Sequence, residues 1–166
     1  MDIQPWLILT HVLTAFAFLA LHGVSMVVWW RLRTERDRTR VTAYLELSLS
    51  MLLGMGVAGL LLIATGILAG IFGGWWFNGQ WWLWVSIGLL VVIVGSMTPL
   101  MGIPMSEARQ AVGIPTEAQR KAGTTPVPAG DAELDRRLRS RRPTVGAGIG
   151  IIGIVLITWL MEMKPF

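Results

Sequence analysis

The chain contains two histidines, His11 and His22, and both lie in its first long apolar segment. In an α-helix, this spacing returns to the same face within roughly 20° and advances about 16 Å along the axis. The two side chains are therefore predicted to share one stripe of a helix at two depths. Because ionisable residues are costly inside a membrane, such residues indicate a function if the segment crosses a bilayer.

The composition is that of a membrane protein. Hydrophobic residues make up 54% of the chain and charged residues 14%, which is unlike a water-soluble globular domain. The absence of cysteine excludes disulfides, thiolate metal sites and iron–sulfur clusters. The sequence contains no phosphate loop, internal repeat or nucleophile motif, so nothing in it marks the chain as an enzyme on its own.

Four apolar runs predict an all-α fold, a four-transmembrane-helix bundle that forms a single membrane domain over residues 1–166. The runs cover about 6–30, 47–72, 81–102 and 144–161, and a helix needs about 20 residues to cross the hydrocarbon core. Tryptophans near the ends of these runs are predicted to anchor the helices in the headgroup layer. They are Trp6, Trp29, Trp30, Trp75, Trp76, Trp81, Trp82 and Trp84.

Basic residues are concentrated on one side of this topology. Five arginines occur in RLRTERDRTR, which joins the first two runs, and seven arginines and Lys121 occur in the loop at about 103–143. On the other side, the basic residue is Lys164. The positive-inside rule therefore predicts that both basic loops are cytoplasmic and both termini outside, as in a multi-pass protein of a bacterial-type inner cell membrane.

The last part of the long loop, DAELDRRLRSRR, is predicted to form a short surface helix, with acidic residues early and arginines late. Its arginines would then lie beside the membrane, where they serve topology and attract anionic lipid. This placement argues against nucleic acid as a partner. The arginines concerned are Arg136, Arg137, Arg139, Arg141 and Arg142.

The predicted histidine stripe of the first helix is expected to face into the bundle. It comprises His11, Ala15, Phe18, His22 and Met26. His11 lies about 8 Å from the outer interface and His22 about 12 Å from the inner one, so they cannot share one metal or haem. A haem held by this chain alone must be bound by one histidine, capped by Met97 or Met101, or completed by a neighbouring subunit.

Methionines form a second pattern, in the inner half of the predicted bundle. Met26, Met51 and Met97 can reach this half together with His22, and Met55 and Met101 follow Met51 and Met97 by four residues. Thioethers with an imidazole suit Cu(I), whereas methionine also fills gaps in apolar cores. A copper path through these methionines and His22 and a purely structural role both remain open.

Small residues are predicted to bring the helices close together, at Gly66-x-x-x-Gly70, Ala69-x-x-x-Gly73 and Gly146-x-x-x-Gly150. These faces can pack within one chain or dock a second subunit in a homo- or hetero-oligomer. The histidines can likewise be structural, hydrogen-bonded to a carbonyl or to Thr10, Thr14 or Thr65.

The segments LTHVLTAFAFLALHGVSMVVWWRLR, ATGILAG, TPLMGIPM and WLMEMKP resemble the CopD-like superfamily of small membrane proteins. Within it, the chain is most similar to the uncharacterised integral-membrane family grouped beside the CopD copper-resistance proteins, and more distantly to HemJ-type protoporphyrinogen oxidases. The resemblance implies a four-helix bundle whose first-helix histidine binds haem b or lies on a metal path. His11 matches the haem-ligand position of the HemJ-type pattern.

The connection RTERDRTR departs from the acidic and lysine-rich connection of the HemJ-type enzymes, which argues against porphyrinogen oxidation. The CopD resemblance instead favours copper movement. Three functions follow as hypotheses. They are a haem-binding protein of membrane electron transfer or of a membrane redox complex, an accessory subunit of a larger membrane assembly without a cofactor, and a copper channel or carrier.

Overall fold

A computed structural model describes residues 2–77 and 79–165, and these residues form helices and no strand. The helices are α1 (Gln4–Leu32), α2 (Arg38–Phe72), α3 (Trp81–Met97), α4 (Ile103–Ala111), α5 (Glu117–Lys121), α6 (Asp131–Leu138) and α7 (Arg142–Met163). A π-helical segment, Thr98–Gly102, joins α3 to α4.

Four helical stretches are long and apolar enough to cross a membrane. They are Gln4–Leu32, Arg38–Phe72, Trp81–Ala111 and Asp131–Met163. The predicted all-α, four-helix bundle is confirmed, and the chain is a multi-pass integral membrane protein.

The helices pack as two pairs that are joined at one end. α1 packs along α2, and α3 packs along α7, while α4 packs against both α2 and α6. Gln4 and Lys164 line the same cleft, so the start of α1 and the end of α7 lie at one end of the bundle, the terminal end. The opposite, basic end carries the α1–α2 connection and α4 to α6.

At the basic end, helix α2 begins well before the predicted span. The Asp37 carboxylate accepts the Thr39 N–H at 2.8 Å and caps the helix at Arg38. In the preceding turn, the N–H groups of Asp37 and Arg36 donate to the Glu35 carboxylate and lower its pKa. The polar first turns are therefore helical without lying in the hydrocarbon core, because caps and water satisfy their backbone groups.

The third membrane helix also continues past its predicted end, through the π-helical segment. Pro99 has no N–H to donate within the helix, and the Ile103 N–H bonds to the Thr98 carbonyl five residues back. This change of register is followed by α4, so the long loop predicted at 103–143 begins as helix. Met101 and Met105 point into the protein core as a result.

The largest buried cluster lies at the basic end and draws on α1, α2, α4 and α6. Trp29 belongs to it and is 1% exposed, so the prediction that Trp29 anchors in the headgroup layer is wrong. Trp82, at 2% exposed in a second cluster at the terminal end, is likewise no lipid-facing anchor. The basic-end cluster consists of Val28, Trp29, Leu32, Val41, Leu45, Met101, Met105, Ala108, Ala111, Leu134 and Leu138.

The predicted surface helix in DAELDRRLRSRR is confirmed as α6, and its carboxylates pair with arginines close by in the sequence. Arg136 and Arg137 pair with Glu133, and Arg139 pairs with Asp135. Three of the arginines expected at the lipid surface thus have partners within their own helix.

Arg38 holds the base of α2 to the ends of α4 and α6. Its Nη2 donates to the carbonyls of Ala111 and Ala129, both at 2.9 Å, and its Nη1 to Asp131.

Candidate functional site

The predicted stripe of α1 lies against α2. His11, Ala15, Phe18, His22 and Met26 are all half-buried. The glycines of α2 accommodate the large side chains of α1, since a Cβ at Gly66 would lie 3.0 Å from His11 Cε1 and one at Gly59 would lie 3.5 Å from Phe18 Cε2. The stripe of α1 is therefore the face that packs closely against α2.

His11 is hydrogen-bonded to α2 through one ring nitrogen. Its Nδ1 lies 3.1 Å from the Leu62 carbonyl oxygen and 3.1 Å from Thr65 Oγ1. A carbonyl can only accept, so Nδ1 carries the proton, and in the neutral ring Nε2 holds the free lone pair. Thr65 fits this assignment, because its own proton goes to the Leu61 carbonyl at 2.7 Å and its oxygen is left to accept.

His22 has a different environment. Its ring stacks on Phe18 with the centroids 6.0 Å apart, and its Nδ1 is enclosed without a hydrogen-bond partner among the described residues. Among the described residues, no hydrogen bond to a carbonyl determines which nitrogen of the His22 ring carries the proton. The two histidines are thus separated in depth, as predicted from their spacing, and they also differ in what holds their rings.

The methionines predicted as ligands are spread over three helices and the π-helical segment. Met101 is 7% exposed within the basic-end cluster, and the Met97 methyl lies 3.6 Å from the Cβ position of Gly150 on α7. Met26, Met51 and Met55 are half-buried along α1 and α2. Met97 and Met101 thus have packing roles in their local surroundings.

The predicted glycine faces pack within the chain. A Cβ at Gly146 would lie 3.1 Å from Leu100 Cβ, and one at Gly70 would lie 2.9 Å from the Trp76 ring atom Cε2. Gly153, on the same face of α7 as Gly146 and Gly150, meets Ile93 of α3. Close approach of α7 to α3 and the π-helical segment therefore depends on missing side chains.

A cleft of about 640 Å³ lies at the terminal end. Its walls come from the first turns of α1, together with Trp75, and Lys164 stands at its edge, whereas His11 does not line it. The Lys164 Nζ lies 5.0 Å from the Trp75 ring centroid and 5.7 Å from that of Trp82, so cation–π contacts hold it in place. The full lining is Gln4, Pro5, Ile8, Leu9, Val12, Trp75 and Lys164.

One polar cluster was not predicted from the sequence. Arg109 of α4 donates through Nη2 to Ser48 Oγ at 3.0 Å, and Ser25 Oγ lies 3.5 Å from Ser48 Oγ. The sequence gives only a weak indication of this cluster. Single serines in two separate apolar runs do not predict that the two side chains lie close together. The position of Arg109 depends on the helical path that follows the π-helical segment.

Among residues 2–77 and 79–165, no three side chains of His, Cys, Asp or Glu converge as a metal site. Comparison of the chain with family models, with curated proteins and with solved structures finds no match.

Proposed function

We propose that the chain binds haem b through His11 and serves in membrane electron transfer, alone or as a subunit of a membrane redox complex. The observation that carries this proposal is the bond from His11 Nδ1 to the Leu62 carbonyl. Ligating histidines usually donate their second ring nitrogen to a carbonyl or carboxylate, which fixes the ring and leaves Nε2 for the metal. His22 has no such partner.

An open, largely apolar cleft lies at the same end of α1 as His11 and has the volume of a typical cofactor site. His11 does not line this cleft, so the support for His11 as the ligand is the hydrogen bond of its ring and not the cleft. Lys164, at its edge, has no ion pair among the described residues and can neutralise a propionate. A bound haem would supply one-electron chemistry, while the chain's own residues hold the imidazole and supply a positive charge.

The absorption spectrum of the purified protein tests this proposal. After haem-replete expression, we expect a Soret band and a reduced-minus-oxidised difference spectrum. Absence of any Soret band would overturn haem binding, as would a band unchanged when His11→Ala and His22→Ala are combined.

An accessory subunit without a cofactor is the second candidate, and an unused glycine face favours it. Gly88 and Gly95 are exposed on α3, with nothing within 4 Å of either Cβ position among the described residues. Small residues on a lipid-facing surface allow a second helix to approach closely. Pull-down from native membranes is expected to recover a partner, and a clean monomer with a haem spectrum would exclude this candidate.

Copper handling draws on the methionines and has its own test. Met51 and Met97 lie on α2 and α3, and a Cu(I) path along them predicts that copper uptake into liposomes falls when both are replaced by leucine. Met163, 64% exposed at the terminal end, offers a control, since Met163→Leu is expected to leave uptake unchanged. Equal uptake in all variants would exclude the path.

The basic end is proposed to face the cytoplasm of a bacterial-type inner membrane. The support is the positive-inside rule applied to the two basic connections, together with the meeting of the start of α1 and the end of α7 at the opposite end.

A further inference from the structure

Arg109 is a half-buried cation whose guanidinium, among the described residues, donates to a hydroxyl. Its Nη2 donates to Ser48 Oγ at 3.0 Å, and Ser48 is 1% exposed. The ion pairs among the described residues involve other arginines and leave Arg109 without a carboxylate. Because an unpaired charge is costly to withdraw from water, an anion from outside the described residues would stabilise Arg109.

The Arg109 guanidinium is enclosed at Nε, which has no hydrogen-bond partner among the described residues. Its Nη1 is not fully enclosed. Trp29 Nε1 is also enclosed and unpartnered, about one helical turn from Ser25 on the same helix. This part of the basic end therefore offers several hydrogen-bond donors and a cation, but few acceptors.

The depth of Arg109 restricts which anion can reach it. From Trp81 to Arg109 the helical path is about 42 Å long, whereas the hydrocarbon core is about 30 Å thick and the bilayer with its headgroups about 40–45 Å. With Trp81 at the interface of the terminal end, Arg109 lies at the level of the phosphates of the opposite leaflet. A haem at His11 is too far away to supply the charge, since Ser25 alone is about 21 Å further along α1.

We infer that Arg109 binds the phosphate of one anionic phospholipid in the leaflet at the basic end. The guanidinium is a charged hydrogen-bond donor that suits phosphate oxygens. Ser48 holds the inner edge of the guanidinium and leaves Nη1 to the lipid. Arg142, which makes no ion pair among the described residues, adds positive potential at this end and favours an anionic headgroup.

Native mass spectrometry of protein purified in detergent with phosphatidylglycerol tests the inference. We expect one lipid retained per wild-type chain, with Arg109→Gln lowering occupancy at least about tenfold. Arg141→Gln removes the same charge from an exposed side chain and is expected to change occupancy less than about twofold. Equal losses in both variants, or none in Arg109→Gln, would overturn the inference in favour of general surface attraction.

A second variant and a competition measurement complete the test. If Arg109→Gln does not fold, Ser48→Ala keeps the cation but frees its inner edge, and unchanged lipid retention in that variant would count against the site. Millimolar inorganic phosphate is expected to leave the lipid in place. Displacement by phosphate alone would show that the site serves a soluble anion and would also overturn the assignment to lipid. None of these readouts depends on haem.

Discussion

Replacement of His11 by alanine is expected to remove the Soret absorbance of the purified protein completely, whereas His22→Ala is expected to retain it. The reason is that His11 has its tautomer fixed by the Leu62 carbonyl, so its Nε2 is the lone pair available to iron. Absorption spectra of wild type and both variants, normalised to protein, provide the measurement. A full Soret band in His11→Ala would contradict the assignment of the ligand.

Loss of haem must be separated from loss of the fold, because His11 also joins α1 to α2. In His11→Asn, the side-chain amide can still donate to the Leu62 carbonyl but is a poor ligand for iron, so we expect a folded protein without haem. Thr65→Val removes one acceptor of His11 Nδ1 and leaves the other. Loss of a hydrogen-bond partner of a ligating histidine typically costs about 10–100-fold in affinity, so this variant is expected to bind haem weakly.

Replacement of Gly146 by leucine is expected to destabilise the protein by about 1–3 kcal/mol, the usual cost of overpacking. A Cβ at this position would lie 3.1 Å from Leu100 Cβ. Since that atom is bonded directly to the backbone of the π-helical segment, it cannot move away without shifting the helix. α7 must therefore separate from the π-helical segment, which weakens the contact that joins α7 to α3 and α4.

Gly148→Leu is the matched control for Gly146→Leu. Gly148 lies on the same helix, and nothing occurs within 4 Å of its Cβ position among the described residues. Both substitutions gain the same intrinsic helix propensity, of less than about 1 kcal/mol, so the difference between their unfolding curves in detergent isolates the packing contact. If both variants unfold at the same temperature, the close approach of α7 has no energetic role.

Several features of the site were predictable because they depend on helical geometry alone. The shared stripe of His11 and His22 and their separation in depth follow from the rise and twist of one helix, and the half-burial of the stripe agrees with it. The residues of α2 that the stripe contacts could not be predicted. The fit of His11 over Gly66 and the bond to Leu62 depend on the register of α1 against α2, which many combinations of small residues would permit.

At the basic end, the features that the sequence predicts are also distinct from those that depend on packing. Runs of apolar residues dictate four membrane helices, because backbone groups in lipid must be satisfied within each helix. Hydropathy also predicted Trp29 as an anchor, since it detects the end of an apolar run but not the helix that covers it. Burial of Trp29 and the approach of Arg109 to Ser48 follow from the path of α4 after the π-helical segment. Such contacts join residues far apart in the chain, so their geometry arises only when the helices pack.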